Sequence, residues 1–158
     1  MRGFGIGVLA DVRRFPGSRR VPHFNAGELE RVLADAGIEY VHLPELGGRR
    51  RPVPGSPNGG WRSEQFQGYA DHMASDEFAA GLERLLRLAS GRPLAVMCAE
   101  AQWWRCHRRL LSDALVVRGV EVLHIDSRGG SRRHELTDLA VVQSGRLTYP
   151  PAQGRLAL

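Results

Sequence analysis

Apolar residues along the chain gather in short runs, which are separated by stretches where they recur at helical spacing. Residues 5–12, GIGVLADV, form a compact apolar and β-branched run that predicts a buried strand ending at Arg13. Helical spacing follows over residues 26–36, and Asn25 stands before it as a good N-cap. Residues 38–44 then alternate in strand fashion. The first part of the chain therefore predicts a strand, a helix and a second strand.

The remaining chain continues this alternation. Helical patterns cover residues 63–74 and 76–90, and the continuous apolar run at 94–99 is typical of a central parallel strand. A helix over 103–117 and a strand over 120–126 follow. After Gly130 the pattern predicts only a weak strand or short helix.

Strands that alternate with helices imply right-handed crossovers. The expected fold is therefore α/β and three-layered, a mostly parallel sheet with helices on both faces. The length predicts a single domain over residues 1–158. Residues 47–61 are rich in Gly, Pro and Arg and have no period, which predicts a long loop. Such a loop is a mobile lid, a nucleic-acid contact or a solvated surface segment.

Composition limits the location and the partners. The chain of 158 residues has 22 basic and 17 acidic side chains, a net charge of +5, and the 42% apolar fraction of an ordinary globular protein. Every basic residue is Arg, which is typical of a GC-rich genome, so the charge alone argues only weakly for an anionic partner. Two cysteines, no signal-peptide core and no apolar stretch of membrane length predict a cytoplasmic protein without membrane association.

Charged residues follow three of the predicted strands. In an open α/β sheet, ligands bind outside the carboxyl ends of the strands, so these residues are candidates for a site. The first strand delivers Asp11, Arg13 and Arg14, the strand at 94–99 delivers Cys98 and Glu100, and the strand at 120–126 delivers His124 and Asp126.

The densest cluster of such residues is CAEAQWWRCHRR at 98–109. Arg105, Arg108 and Arg109 fall near the first turns of the predicted helix, where the positive end of the helix dipole disfavours cations. A bound phosphate, sulfate or carboxylate would explain these arginines. Backbone N–H groups and an Arg fork would hold the anion. The alternative is that these side chains are solvated or pair with Glu100.

Both cysteines of this cluster are candidate nucleophiles. Cys98 does not fit the loop of a thiolate phosphatase, because a tryptophan occupies the position of its arginine. Cys106, at a helix N-terminus among arginines, should have a lowered pKa. His107 is expected to be a poor base for it, since adjacent helical residues point about 100° apart, so Glu100 or His124 would have to serve. Either thiol could instead be a small buried apolar group. The gap between the cysteines matches no usual zinc spacing, and we assign no metal and no cofactor.

Residues 13–24, RRFPGSRRVPHF, combine four arginines with two phenylalanines, Ser18 and a histidine. Arginine interleaved with aromatic residues can hold backbone phosphate and stack bases. The same loop, including Arg19, could equally line a small-molecule site.

Several segments occur in an order that resembles the bacterial family called domain of unknown function 488. They are DVRRFPGSRRVPHFN, GIEYVHLPELGGRR, FQGYADHM, MCAE, CHR and VLHI, and they span about residues 8–126, leaving 127–158 as a C-terminal extension. The resemblance implies an intracellular α/β domain with no established activity. It marks these positions as family-typical: Asp11, Arg13, Pro16, Ser18, Phe24, Tyr40, Leu46, Gly47, Gly48, Tyr69, Met73, Cys98, Glu100, Cys106, His107, Arg108 and His124.

Two departures from the family pattern affect the expectations. The chain starts almost directly at the first strand, where relatives have a further strand and helix, so an exposed sheet edge and a homodimer across it are expected. Gln102, Trp103 and Trp104 stand where the family usually has a proline, and two indoles there could block or reshape the site.

The leading hypothesis is a small enzyme with an anion-binding site at the strand ends and a phosphate-bearing or nucleotide-like substrate. Cys98 or Cys106 would be the nucleophile or redox centre, and Glu100 with His107 or His124 would move protons. The expected substrate-binding residues are Asp11, Arg13, Arg14, Ser18, Arg19, Tyr40, Tyr69, Arg105 and Arg108. Two alternatives stay open: a nucleic-acid-binding module that uses loops 13–24 and 47–62, and a regulatory or scaffold domain whose site has decayed.

Overall fold

The computed structural model describes residues 2–152, which divide into two compact units. Unit 1 combines the residues up to 48 with 75–101, and unit 2 combines 49–74 with the residues from 102 onward. The α-helices are α1 (Ala26–Asp35), α2 (Glu64–His72), α3 (Asp76–Ala89) and α4 (Arg108–Val117). The strands are β1 (Val8–Asp11), β2 (Glu39–His42), β3 (Leu94–Met97), β4 (Leu123–Ile125), β5 (Ser131–Arg133), β6 (Val141–Gln143) and β7 (Arg146–Thr148). Short 3₁₀ turns cover Arg2–Phe4, Pro22–Phe24, Pro44–Leu46 and Trp103–Arg105.

Unit 1 is built around a three-stranded parallel sheet in the order β2-β1-β3. β1 is the central strand and is buried along its whole length, which agrees with its continuous apolar run. β3, predicted as a central strand, is an edge strand of this sheet and is only half-buried. Leu9 on β1 packs with Leu29 and Leu33 of α1, so the apolar face of that helix covers the sheet.

Two residues of the sequence, a capping serine and a glycine, explain where helix α3 of unit 1 begins and how closely it packs. Ser75 caps its N-terminus by accepting a hydrogen bond from the backbone N–H of Phe78 at 3.1 Å. Gly81 lets the helix approach the Pro44–Leu46 turn, because a Cβ at this position would lie 3.1 Å from the Leu46 side chain.

Unit 2 contains α2, α4 and two antiparallel hairpins, β4–β5 and β6–β7. Tyr69, Leu110, Leu111 and Tyr149 lie in its core. The β6–β7 hairpin turns at Ser144 and Gly145, both with positive φ, as a two-residue hairpin turn requires.

The long loop that precedes α2 is fastened to that helix. The Asp71 carboxylate accepts hydrogen bonds from the Val53 N–H, the Ser56 hydroxyl and the Asn58 amide, at 2.6–2.9 Å. The Asn58 side-chain oxygen in turn accepts the Tyr149 N–H at 2.8 Å. Residues 53–58 are thus held by specific hydrogen bonds, which a freely swinging lid would lack.

The structure confirms α/β content with a parallel sheet, and it corrects the assignment of the last long strand. The strand predicted at 120–126 is β4, which pairs antiparallel with β5 in a separate two-stranded sheet. The three-layer arrangement with helices on both faces stays a prediction. Among the described residues, no helix has the length and apolar character needed to cross a membrane.

Candidate functional site

The carboxyl ends of the three parallel strands in unit 1 meet at one sheet edge. The strand predicted at 120–126, which carries His124 and was expected at this edge, is not one of them. Asp11 lies opposite His42 on one side and opposite Met97 on the other. The backbone N–H of Val12 donates to the Met97 carbonyl at 2.9 Å, which continues the pairing beyond the strands. The chain therefore delivers Cys98 to the same edge; Cys98 is half-buried. Glu100, two residues further along, is exposed.

Asp11 is the centre of the polar contacts at this edge. Its carboxylate has no solvent exposure and accepts hydrogen bonds from Arg13 Nε at 2.9 and 3.0 Å, from Arg13 Nη2 at 2.6 Å and from the Tyr40 hydroxyl at 2.7 Å. Arg13 Nη2 also donates to the Phe24 carbonyl at 2.8 Å. His42 Nε2 lies 2.8 Å from the Arg13 carbonyl and donates to it in the Nε2–H tautomer.

Asp11 and Arg13 form an ion pair whose charges balance each other. Burial raises the pKa of Asp11, but the hydrogen bonds from Arg13 and Tyr40 outweigh it, and the net effect is a lowered pKa. Burial and the adjacent Asp11 raise the pKa of Tyr40, so its hydroxyl stays protonated and donates. The predicted substrate-binding residues Asp11, Arg13 and Tyr40 are thus brought together, and the charge of Arg13 is balanced inside the protein.

The loop after β1 is ordered by its own hydrogen bonds. Ser18 N–H donates to the Asn25 side-chain oxygen at 2.5 Å, and the Ser18 hydroxyl accepts the Val21 N–H at 3.2 Å. Phe15 and Phe24 are nevertheless 67% and 47% exposed. Ser18 therefore closes the loop that presents these rings, and its predicted role in substrate binding stays a prediction.

The predicted arginines of this loop lie beside the exposed rings. The guanidinium of Arg14 lies 5.7 Å from the centroid of the Phe15 ring, within cation–π range. Arg19 is exposed. We call residues 13–24 the basic–aromatic loop.

In unit 2, Cys106 and His107 form a close pair, contrary to the sequence argument. The predicted helix over 103–117 is interrupted: Trp103–Arg105 form a 3₁₀ turn, Cys106 is extended, and α4 begins at Arg108. Because Cys106 and His107 precede the helix, the 100° argument does not apply to them. The Cys106 Sγ lies 3.6 Å from His107 Nδ1, and the Arg108 backbone N–H donates to Sγ at 3.5 Å.

The surroundings of this pair include further predicted residues. Tyr69 is fully buried, and its ring centroid lies 4.9 Å from that of His107, so Tyr69 positions the imidazole. Arg105 belongs to the 3₁₀ turn and is exposed, whereas Arg108 and Arg109 occupy the first turn of α4.

His124 belongs to a buried polar array that the sequence analysis missed. His124 Nε2 lies 2.8 Å from His134 Nδ1, and His134 Nε2 lies 2.8 Å from Asp113 Oδ1. Asp113 also accepts the Thr137 N–H at 2.9 Å and the Tyr149 hydroxyl at 2.8 Å. We call Asp113, His134 and His124 the Asp–His–His array.

Two features define the surroundings of His124. Burial, together with the nearby His134, Arg108 and Arg132, lowers the pKa of His124 to about 4. The Trp103 indole stacks on the His124 ring, with centroids 3.6 Å apart and planes within 2° of parallel. This contact gives Trp103 a defined partner.

An open cleft borders the array. Three arginines and two acidic residues are among those that line it, so its charge is mixed: Trp103, Arg109, Arg132, Arg133, His134, Glu135, Leu136, Thr137 and Asp138. Arg109 Nε donates to the Thr137 hydroxyl at 3.3 Å, and its guanidinium lies 5.1 Å from the Trp61 ring centroid.

One sequence signal could have pointed to this array. Asp113 stands within the apolar positions 110–115 of a helix, and an ionisable residue on a buried helix face needs a buried partner. The identity of that partner, His134, depends on a contact between distant segments.

Comparison with known proteins identifies a family that the chain matches. The family model described as Domain of unknown function DUF488 matches residues 1–115. Neither the curated proteins nor the solved structures contain a match to the chain. The matched range includes the Asp11 cluster, Cys106, His107 and Asp113, whereas His124 and His134 follow it.

Proposed function

Since the chain belongs to the DUF488 family, a domain of unknown function that brings no activity with it, we propose on physical grounds that it is a thiol-dependent enzyme. Cys106 is the nucleophile and His107 takes its proton. The observation that carries the proposal is the 3.6 Å separation of Cys106 Sγ and His107 Nδ1. An imidazole within hydrogen-bond reach of a thiol is the arrangement that nucleophilic catalysis requires.

The position of Cys106 favours the thiolate over the thiol. Its sulfur accepts the backbone N–H of Arg108 at the start of α4, where the helix dipole creates a positive potential. Transfer of the thiol proton to His107 leaves an imidazolium beside the anionic sulfur. Tyr69, packed against His107, holds the ring in place for this transfer.

A phosphate-bearing or nucleotide-like anion is the substrate class that these surroundings suit. Arg105 and Arg108 flank Cys106 in the chain, and planar guanidinium groups match phosphate geometry. The predicted roles of Cys98 and Glu100, which belong to unit 1, stay predictions, as do those of Arg13 and Arg19. The proposal implies a reducing compartment, the cytoplasm, since the reaction needs a free thiol.

Alkylation of Cys106 at varied pH tests the proposal. Mass spectrometry follows iodoacetamide labelling of the native protein at this residue. We expect a half-maximal rate at a pH well below the free-thiol value of about 8.5. In His107→Gln the profile should shift to higher pH by about one unit or more, whereas His23→Gln, in the exposed loop, should leave it unchanged. Inorganic phosphate should slow labelling of the wild type.

Two results would refute this function. Labelling of Cys106 only after unfolding would make it a structural residue. An unchanged pH profile in His107→Gln would show that the imidazole does not control the thiol.

A second candidate function, binding of single-stranded nucleic acid, is favoured by the basic–aromatic loop. Exposed rings such as Phe15, with Arg14 beside it, offer the stacking and phosphate contacts that such ligands use. Fluorescence anisotropy with a labelled oligonucleotide should show binding that weakens steeply with salt. Phe15→Ala should weaken it several-fold, and Val32→Ala, which removes a comparably exposed apolar group on α1, should not. Binding that is absent, or indifferent to salt, would exclude this function.

A further inference from the structure

The Asp–His–His array connects a fully buried carboxylate to a half-buried imidazole through two hydrogen bonds of 2.8 Å. We propose that it is a proton relay, in which His124 exchanges a proton with a ligand while His134, held by Asp113, takes the charge. The inference rests on the proposed function in one respect: the relay would serve the same reaction and would supply an acid–base group in addition to His107.

The hydrogen-bond partners of Asp113 determine the tautomers. The Thr137 N–H can only donate. Burial and the Asp113 charge raise the pKa of Tyr149, so its hydroxyl stays protonated and donates as well. Asp113 is therefore the acceptor of every contact it makes, and His134 gives it the Nε2 proton.

The tautomer of the second ring follows from the first. In neutral His134, with its proton on Nε2, Nδ1 carries a lone pair and accepts. Nε2 of His124 must then be the protonated nitrogen that donates to it at 2.8 Å. The resting array presents a lone pair on Nδ1 of His124.

Proton uptake can proceed without breaking any of these bonds. A proton arrives at Nδ1 of His124, and the bridging proton moves from His124 Nε2 to His134 Nδ1. His124 gains one proton and loses one, so it stays neutral, and His134 becomes an imidazolium. The Asp113 carboxylate is not protonated; it stabilises the charge formed beside it.

The surroundings favour this final location of the charge. Arg108 and Arg132 both disfavour a cation on His124, which is also partly desolvated. His134, in contrast, has the carboxylate of Asp113 at 2.8 Å, and the two side chains are 1% and 0% exposed. An ion pair with so little solvent is weakly screened.

Solvent access gives the relay its direction. His124 is half-buried, whereas His134 and Asp113 are buried, so protons enter and leave through His124. Trp103 stacks on His124 and meets the His134 ring edge-on at 5.6 Å, which restrains both rings against rotation. The ligand is a group with a proton to exchange that reaches His124 directly. The neighbouring cleft borders His134, and three arginines and two carboxylates give it a mixed charge.

Nitrogen-15 NMR of the histidine side chains in the full chain tests the relay between about pH 4 and pH 9. In the neutral state, the shifts of His124 should report a proton on Nε2 and a lone pair on Nδ1. On acidification, the first proton should make His134 the imidazolium, while His124 changes to the Nδ1–H tautomer. Asp113→Asn removes the stabilising charge, so the same uptake should need a pH at least one unit lower, a tenfold loss of proton affinity.

Two further variants keep the test decisive. Tyr149→Phe retains the carboxylate and should retain both tautomers, which serves if Asp113→Asn does not fold. Cys106→Ser removes the proposed nucleophile and should leave the spectra of His124 and His134 unchanged, so the two proposals can fail separately. The relay is overturned if neutral His124 carries its proton on Nδ1. It is also overturned if the first proton charges His124 and leaves His134 neutral.

Discussion

Replacing Asp11 by asparagine should destabilise the protein by about 3–5 kcal/mol, the range for breaking one side of a buried ion pair. The carboxylate is fully buried and Arg13 is only 10% exposed, so water cannot replace the lost partner of the guanidinium. The Tyr40 hydroxyl also loses the anion to which it donates at 2.7 Å. Tyr40→Phe alone removes one hydrogen bond to a charged group and should cost about 1.5–3 kcal/mol.

The pH dependence of this loss has a definite sign. The pKa of Asp11 is lowered in the folded protein, which means that folding stabilises the ionised carboxylate relative to the protonated form. Its contribution is complete above the unfolded value of about 3.9 and is lost as the pH falls through the folded value. The difference in stability between wild type and Asp11→Asn should therefore be constant near neutral pH and shrink in acid.

Urea unfolding followed by circular dichroism, at pH 7 and at several acidic pH values, measures both effects. Asp35→Asn is the matched control, since Asp35 is 74% exposed and its pairing with Arg31 at 3.6 Å should be worth less than about 1 kcal/mol. A loss below about 1 kcal/mol for Asp11→Asn at pH 7 would refute the argument that this pair is buried and uncompensated by solvent. So would a difference that grows as the pH falls.

Two further substitutions test local packing and capping by the same unfolding assay. Gly68→Ala should cost about 1–3 kcal/mol, because its Cβ would lie 2.6 Å from the backbone carbon of Arg51, whereas Gly27→Ala meets no atom within 4 Å and should be neutral or stabilising. A similar stability for both alanine variants would contradict this. Ser75→Ala removes the side-chain cap of α3 and should lower the free energy of unfolding by about 1 kcal/mol. Ser63→Ala, at the start of α2 where no such hydrogen bond exists, should have little effect. Equal losses of stability in the two variants would show that the cap is not the cause.

Local patterns predicted the elements of the chain better than their pairing. The apolar runs at β1 and β2 and the helical spacing of α1 and α3 agree with the structure to within a few residues, because each element buries its own apolar face. The prediction that residues 120–126 join the parallel sheet was wrong for a physical reason. Its pattern is compatible with any partner, and Asp126 closes a local turn by accepting the N–H groups of Arg128 and Gly130. That turn directs β4 into a hairpin with β5.

The candidate site shows the same limit. The sheet-end rule found Asp11 and Arg13, since it depends on strand direction alone. The Cys106–His107 geometry was predicted wrongly, because one extended residue interrupts an otherwise helical pattern. Asp113 and His134, 21 residues apart, were missed because their contact is made by tertiary packing and leaves no local pattern.

Each unit buries one carboxylate completely and satisfies it with a tyrosine hydroxyl and a basic side chain. Asp11 has Tyr40 and Arg13, and Asp113 has Tyr149 and His134. The basic partner separates their roles. A guanidinium stays protonated at every pH at which the protein folds, so the basic partner of the first carboxylate keeps a constant charge. An imidazole can gain and lose a proton near neutral pH, so the basic partner of the second carboxylate can change its charge state without leaving its place. Chemistry that moves protons is therefore expected in unit 2, where Cys106, His107 and His124 also lie.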